Sequence, residues 1–364
     1  MFKFALKKLL VKLGLRKSDV TPPLINKSEV AEGSYQELAL NLINQANKEY
    51  STSHSSSLDI DSMTTPNELA FLEVYGRNAF TGNGKIIDLG CWFGATSASL
   101  AVGLNANPMA SVTDVVEAYD LFEWDHWMDP IKESIGMKVN LKAGDCFLNI
   151  VEQNLSEYAN RINFHKQDLS NYNLPAEWSI EFLFVDAMKN WDLAGSISRT
   201  FFTRLIPERS IMVMQDFAFY DPIVATNHLL MWHLRDCFKP LHHVPYSCSV
   251  VFLTLRVPTA EDLLDYSPDS FTEEEVDQAY EYCIPLIQEF MQPSLYVAKL
   301  CHHLQCQHKE GSLRAIQNLK GMKISAPMRE TIIRSLDEPY ISASSSWQAC
   351  ESELRSALSA LAVS

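Results

Sequence analysis

The sequence predicts a doubly wound α/β domain: a seven-stranded sheet, mostly parallel, closed by an antiparallel terminal hairpin and followed by a helical C-terminal extension. Three observations predict it. Short runs that are apolar throughout alternate with longer helical stretches, the pattern of a parallel sheet covered on both faces. The last two apolar runs are separated only by Pro245-Tyr246-Ser247, too short for a crossover, so they pair as a hairpin. Beyond Pro258 the apolar runs give way to acidic, amphipathic helical sequence.

Residues 1–20 read as a basic amphipathic helix. The segment MFKFALKKLLVKLGLRK holds Lys3, Lys7, Lys8, Lys12, Arg16 and Lys17, no acid, and apolar residues at helical spacing. Residues 1–17 are therefore a candidate for peripheral contact with an anionic membrane surface, the plainer reading being a frayed leader or a helix docked on an acidic partner. Lysines interrupt its apolar run, which argues against a secretory signal, and no apolar stretch elsewhere is long enough to span a bilayer. Residues 21–66 form a linker with one approach helix near Tyr35 to Tyr50.

The α/β domain is expected over 67–257. ELAFLEVYGRNAF is an amphipathic helix, and Thr81-Gly82-Asn83-Gly84 turns into the first strand. Strands are expected at Lys85 to Leu89, Val115 to Tyr119, Ile162 to His165, Ile180 to Val185, Ser210 to Met214, near His242 to Val244, and at Cys248 to Leu255. Helices are expected at 95–104, 145–159 and 192–205, with Asp145 as a natural cap for the second. The extension, 258–364, shows no repeat; it should pack on the core or join copies of the chain as a homo-oligomer.

Charge and cysteines narrow the function classes. The formal net charge is −15, which opposes neutralising a phosphate backbone, so no nucleic-acid partner is expected. Eight scattered cysteines look like reduced thiols, consistent with a cytoplasmic protein. The run from Cys301 to His308 holds zinc-type ligands, but only His302 and Cys306 share a helix face and no second pair sits at finger spacing, so no metal is expected there.

The chemistry concentrates in IIDLGCWFGATSASLA, residues 86–101. Here a strand stops at Gly90, a tight turn runs to Gly94, and a helix follows. Asp88 stands at the strand's C-terminal end, where open α/β sheets bind ligands, and Gly94 would let a ligand approach the main chain. A dinucleotide fingerprint needs one more glycine, where Thr96 or Ser97 stands, so a pyrophosphate is not the natural fit and a hydride-transfer enzyme is disfavoured. Asp120 ends the second strand with two acceptor oxygens that suit the hydroxyls of a ribose.

IDLGCWFGATS resembles the first motif of the class I S-adenosylmethionine-dependent methyltransferases, whose Rossmann-like sheet also closes with an antiparallel hairpin; the likeness runs over about residues 67–256. The resemblance implies that Asp88, Gly90 and Gly94 line the methionine part of S-adenosyl-L-methionine, Asp120 its ribose, and Asp168 its adenine. FLFVDAMKNWD is similar to the fourth-strand segment of the catechol and caffeoyl-coenzyme A O-methyltransferases, which implies a catalytic pair, Asp186 matching the metal-binding aspartate and Lys189 the general base. In IMVMQDFAF, Asp216 matches their second metal-binding aspartate, but Phe217 stands where an asparagine should follow, and Gln215 points to the other side of the strand. A divalent metal is therefore not expected. The macrocin-type sugar O-methyltransferases are a partial match, with Met188 and Lys189 in place of an aspartate and a histidine.

His126, in the aromatic insert after Asp120, is an alternative base, as are His165 and His228. Together these residues imply an O-methyltransferase for a hydroxylated small molecule or sugar. The contrasting expectation is a catalytically silent scaffold of the same fold that binds partners or a membrane surface.

Overall fold

The computed structural model describes residues 32–50, 60–263, 266–340 and 345–359. The expected basic helix at 1–20, with its membrane contact, lies outside them. Among the described residues no helix is long and apolar enough to cross a membrane.

The sheet runs in the order β3-β2-β1-β4-β5-β7-β6: β1 is Lys85–Leu89, β2 Val116–Asp120, β3 Ile162–Lys166, β4 Ile180–Val185, β5 Ile211–Met214, β6 Phe238–His243 and β7 Val250–Thr254. β1 to β5 pair in parallel, β7 runs antiparallel to β5, and β6 antiparallel to β7. This is the expected seven-stranded, mostly parallel sheet with its closing hairpin. β6 starts earlier than its composition suggests. It contains Pro240, which cannot donate to a ladder, and this is tolerated because β6 is the edge strand and its register slips between Pro240 and His242.

Alternate residues feed two cores. Ile86, Phe182, Phe184 and Val213 face one side with α1 (Glu32–Tyr50), α2 (Pro66–Asn78) and α3 (Ala95–Ala106). Ile87, Leu183, Val185 and Met214 face the other, with α6 (Trp191–Thr200) and α7 (Ala225–His233). α2 opens with Thr65 as N-cap and Glu68 closing a reciprocal capping box, and Glu68 Oε1 also accepts from Ser249 Oγ at 2.6 Å, tying the helix start to the hairpin.

The helix expected over 145–159 is shorter than its range. The stretch 145–159 is helical only as α5, Leu148–Asn154, plus a single turn at Ser156–Tyr158. Asp145 is not its cap: its carboxylate accepts the Lys142 amide at 2.8 Å in the preceding turn, while Glu123 and Cys146 form an isolated bridge that keeps this stretch extended. The insert before it also carries a short helix, α4 (Met128–Ile135), behind which Trp124 is buried against Phe93 and Phe147.

The C-terminal extension is built of α8 (Glu273–Cys283), α9 (Gln292–Gln305), α10 (Lys309–Leu319), α11 (Ala326–Asp337) and α12 (Ser345–Ser359). It is not a separate layer. Val276, Tyr280, Leu295 and Ala298 share one apolar cluster with Phe217, Leu229 and Phe252 of the α/β core. Tyr220, from the loop after β5, is buried among Val297, Leu300 and Ile332 of the extension, and Arg334 pairs with Asp221 at 2.9 Å.

α2 and α3 cross at two glycines. A Cβ on Gly76 would stand 2.8 Å from the Leu100 carbonyl oxygen, and one on Gly103 would overlap the Glu73 carbonyl oxygen. Backbone cannot yield as a side-chain tip can. Gly103→Ala is expected to destabilise the protein by about 1–3 kcal/mol, read from the urea midpoint at constant slope.

Candidate functional site

The strand order reverses beside β1, which lies between β2 and β4, so the crevice of this sheet opens at the carboxyl ends of β1, β2, β4 and β5. Asp88 is the fourth residue of β1 and has no exposed surface. Its Oδ2 accepts from Thr96 Oγ1 at 2.7 Å and Ser97 Oγ at 2.5 Å, both on the first turn of α3. Oδ1 is buried with no hydrogen-bond partner. Burial pushes the carboxyl up to about 6, against the two hydroxyls that lower it, with Asp186 and Asp120 adding to the rise.

The turn from Gly90 to Gly94 is held by its backbone. Gly90, Trp92 and Gly94 all have left-handed φ, at 84°, 48° and 81°. A Cβ on Gly90 would lie 3.0 Å from the Asp186 carbonyl, and one on Gly94 would overlap Leu155 Cδ1. The Cβ side of Gly94 is therefore filled by the protein's own Leu155 and Val151.

Asp120 ends β2 and fastens the turn from the side: Oδ2 accepts the Trp92 amide at 3.0 Å and Oδ1 the Phe122 amide at 2.8 Å. Each oxygen keeps a second lone pair. Burial raises this carboxyl too, against those amides. Asp168 follows β3 but is exposed, and caps the turn Leu169–Asn171 by accepting the Ser170 amide at 2.9 Å and hydroxyl at 2.7 Å. Those bonds hold it below the usual carboxylate range.

On the other side of β1, Asp186 follows β4, its amide donating to the Leu89 carbonyl at 2.8 Å. A tight turn, Lys189 N–H to the Ala187 carbonyl at 2.9 Å, brings Lys189 back over the strand end. Its Nζ lies 2.7 Å from Asp186 Oδ1 and 2.7 Å from Asp216 Oδ2, bridging β4 and β5. Asp216 takes a left-handed φ of 61° to reach it. Gln215 is buried, its side-chain oxygen without a hydrogen-bond partner, and Phe217 packs inward against His228 and Phe252. Among the described residues no three His, Cys, Asp or Glu side chains gather as a metal-binding group.

The histidines sit elsewhere. His126 is a surface residue, its side chain 85% exposed and 3.8 Å from Asp129. His165 bonds Glu117 at 2.8 Å and stacks on Tyr119. His228 is wholly buried: Nε2–H donates to the Phe217 carbonyl at 2.6 Å, Nδ1 faces the Tyr280 hydroxyl at 3.2 Å, and burial pushes the imidazole down to about 4. It is a neutral packing group between α7 and α8. His302 and Cys306 do share a face, at 3.6 Å, whereas His303 turns to Asp277 and His308.

Sequence reasoning missed two parts of this site. The hydroxyls of Thr96 and Ser97, noted only for not being glycine, are what hold Asp88. The extension forms a wall: Trp191, two residues past Lys189, meets Phe271 and His302, and Tyr220 ties the β5 loop to α9 and α11. Aromatic spacing in the extension was the one available signal.

No family model and no curated protein sequence matches this chain. Among solved structures it is similar to CalS11, a calicheamicin methyltransferase, with 11% identity over 65% of this chain and 99% of that one and a TM-score of 0.40. An apo structure of CalS11, described as a TDP-rhamnose 3′-O-methyltransferase, gives 12% identity, 62% and 96% coverage and a TM-score of 0.38. A StiE O-MT gives 12%, 80%, 70% and 0.26. At that distance the likenesses carry no inference about activity.

The raised Asp88 carboxyl has a signed consequence. Folding is unopposed while the group is protonated, below its ordinary value of 3.8, and loses stability as pH rises through about 6. Asp88→Asn should therefore gain on wild type by about 3 kcal/mol between about pH 4 and about pH 7, measured by denaturant unfolding at each pH.

Proposed function

We propose that this chain is an S-adenosylmethionine-dependent O-methyltransferase acting on a hydroxylated small molecule or sugar. The observation that carries the reading is the buried, unpartnered Oδ1 of Asp88 at the switch point of the sheet, with Asp120 on the adjacent strand.

The residues present fit that cofactor's chemistry. Residues 86–101 contain no basic side chain, so a phosphate finds no counter-charge there, whereas carboxylates suit an ammonium and a pair of ribose hydroxyls. Asp88 would hold the amino-acid end and Asp120 the ribose through its remaining lone pairs. The bound cofactor supplies a methyl group activated by a sulfonium.

The chain's own contribution lies across β1. Asp186 and Asp216 can accept a hydrogen bond from the acceptor hydroxyl and turn an oxygen lone pair toward the methyl carbon. During the transfer the acceptor hydroxyl would give up its proton to one of these carboxylates or to water. Lys189, ion-paired to both carboxylates, acts here as a fixed positive charge rather than as the general base, because a base must first give up its proton and two adjacent anions oppose that. The extension's wall at Trp191 helps exclude water from the β4–β5 side.

The silent-scaffold reading is favoured by one observation: both oxygens of Asp120 already bind backbone amides. Calorimetry separates the readings. S-adenosylhomocysteine should bind wild type well below about 1 mM, and Asp120→Ala, which also frees the Trp92 turn, should weaken binding at least about tenfold. No heat at that concentration would sink the cofactor site altogether. Binding without methyl transfer to a panel of hydroxylated acceptors would leave the scaffold.

A further inference from the structure

The fourth-strand motif and the misfit at Phe217 meet at one atom, Lys189 Nζ. In the families this segment resembles, a divalent ion is expected between the acids that end the fourth and fifth strands. Such an ion needs six or more oxygen ligands at about 2.0–2.6 Å. The side-chain oxygen expected after Asp216 is missing: Phe217 has no exposed surface and packs in the core. What stands between the two acids is an ammonium, 2.7 Å from each.

The placement is built rather than incidental. Lys189 is three residues past Asp186, and the Ala187 turn folds it back. Asn190 then caps α6 by accepting the Leu193 amide at 2.8 Å, which fixes where the lysine's backbone leaves the strand end. Asp216 completes the pair from a backbone conformation that non-glycine residues seldom adopt.

We propose that Lys189 is the resident cation of this site, standing where a divalent metal would: its single charge offsets part of the negative charge of Asp186 and Asp216 and sits beside the acceptor hydroxyl as its proton leaves. What the cation is used for rests on the methyl-transfer reading; which cation occupies the site does not. Removing the lysine should uncover a cation site that the wild-type chain lacks.

The test needs no turnover. Mn²⁺ is titrated into wild type, Lys189→Arg, Lys189→Ala and Lys189→Ala/Asp216→Asn, with binding read by electron paramagnetic resonance and the melting midpoint followed in parallel. Wild type and Lys189→Arg should bind no tighter than about 1 mM and show no shift in midpoint. Lys189→Ala should bind at least about tenfold tighter and melt higher with Mn²⁺, and Asp216→Asn should abolish that gain. A wild type that binds Mn²⁺ as tightly as Lys189→Ala, or a folded Lys189→Ala that gains no site, overturns the proposal.

If Lys189→Ala does not fold, the neutral triple variant Asp186→Asn/Lys189→Met/Asp216→Asn decides. It should melt near wild type and ignore Mn²⁺; a triple variant that stays unfolded overturns the proposal. S-adenosylhomocysteine binding by wild type is read separately, so a missing cofactor site and a wrong cation give different results.

Discussion

Everything at this strand edge depends on how closely β1 and β4 run together where they end. The Asp186 amide extends the parallel ladder to the Leu89 carbonyl, and Gly90 passes the Asp186 backbone with no room for a side chain. A larger residue at 90 would part the two strands, and with them the two halves of the site: Asp88 and Asp120 on one side, Asp186, Lys189 and Asp216 on the other. Glycine is required there for the neighbour it nearly touches as much as for its left-handed φ.

The charge balance follows from that closeness. Four carboxylates, Asp88, Asp120, Asp186 and Asp216, gather on one edge, and Lys189 is ion-paired to two of them. The remaining two lie under burial that disfavours their charged forms. An edge so arranged is costly when bare and favours a ligand that brings positive charge and hydroxyl donors.

Much of this was legible in the order of residues, for reasons that can be named. Lys85 to Leu89 and Ile180 to Val185 were readable to the residue because each is a short, mainly apolar run of strand length lying between helical stretches. The start of β6 was not, since Pro240 reads as a breaker until one knows that the strand lies at the edge. Strand-end acids could be recognised from position alone. What those acids bind could not: Trp92 to Asp120 spans 28 residues and Lys189 to Asp216 27, and such pairings depend on strand order rather than local pattern.

The seating of Tyr220 in the extension bears on how this chain could be divided or recombined. The loop that ends in Tyr220 and Asp221 begins at Asp216, so the last helices grip the same short segment that carries one of the site's acids. A cut at the composition boundary near Pro258 would strip that grip away and lay bare Tyr220, Phe217 and the α7 face together. The sequence looks modular at that point, but the molecule is not: the helical part travels with the sheet as a single heritable unit, and a shuffled or trimmed descendant would have to rebuild the β5 loop to keep its acid in place.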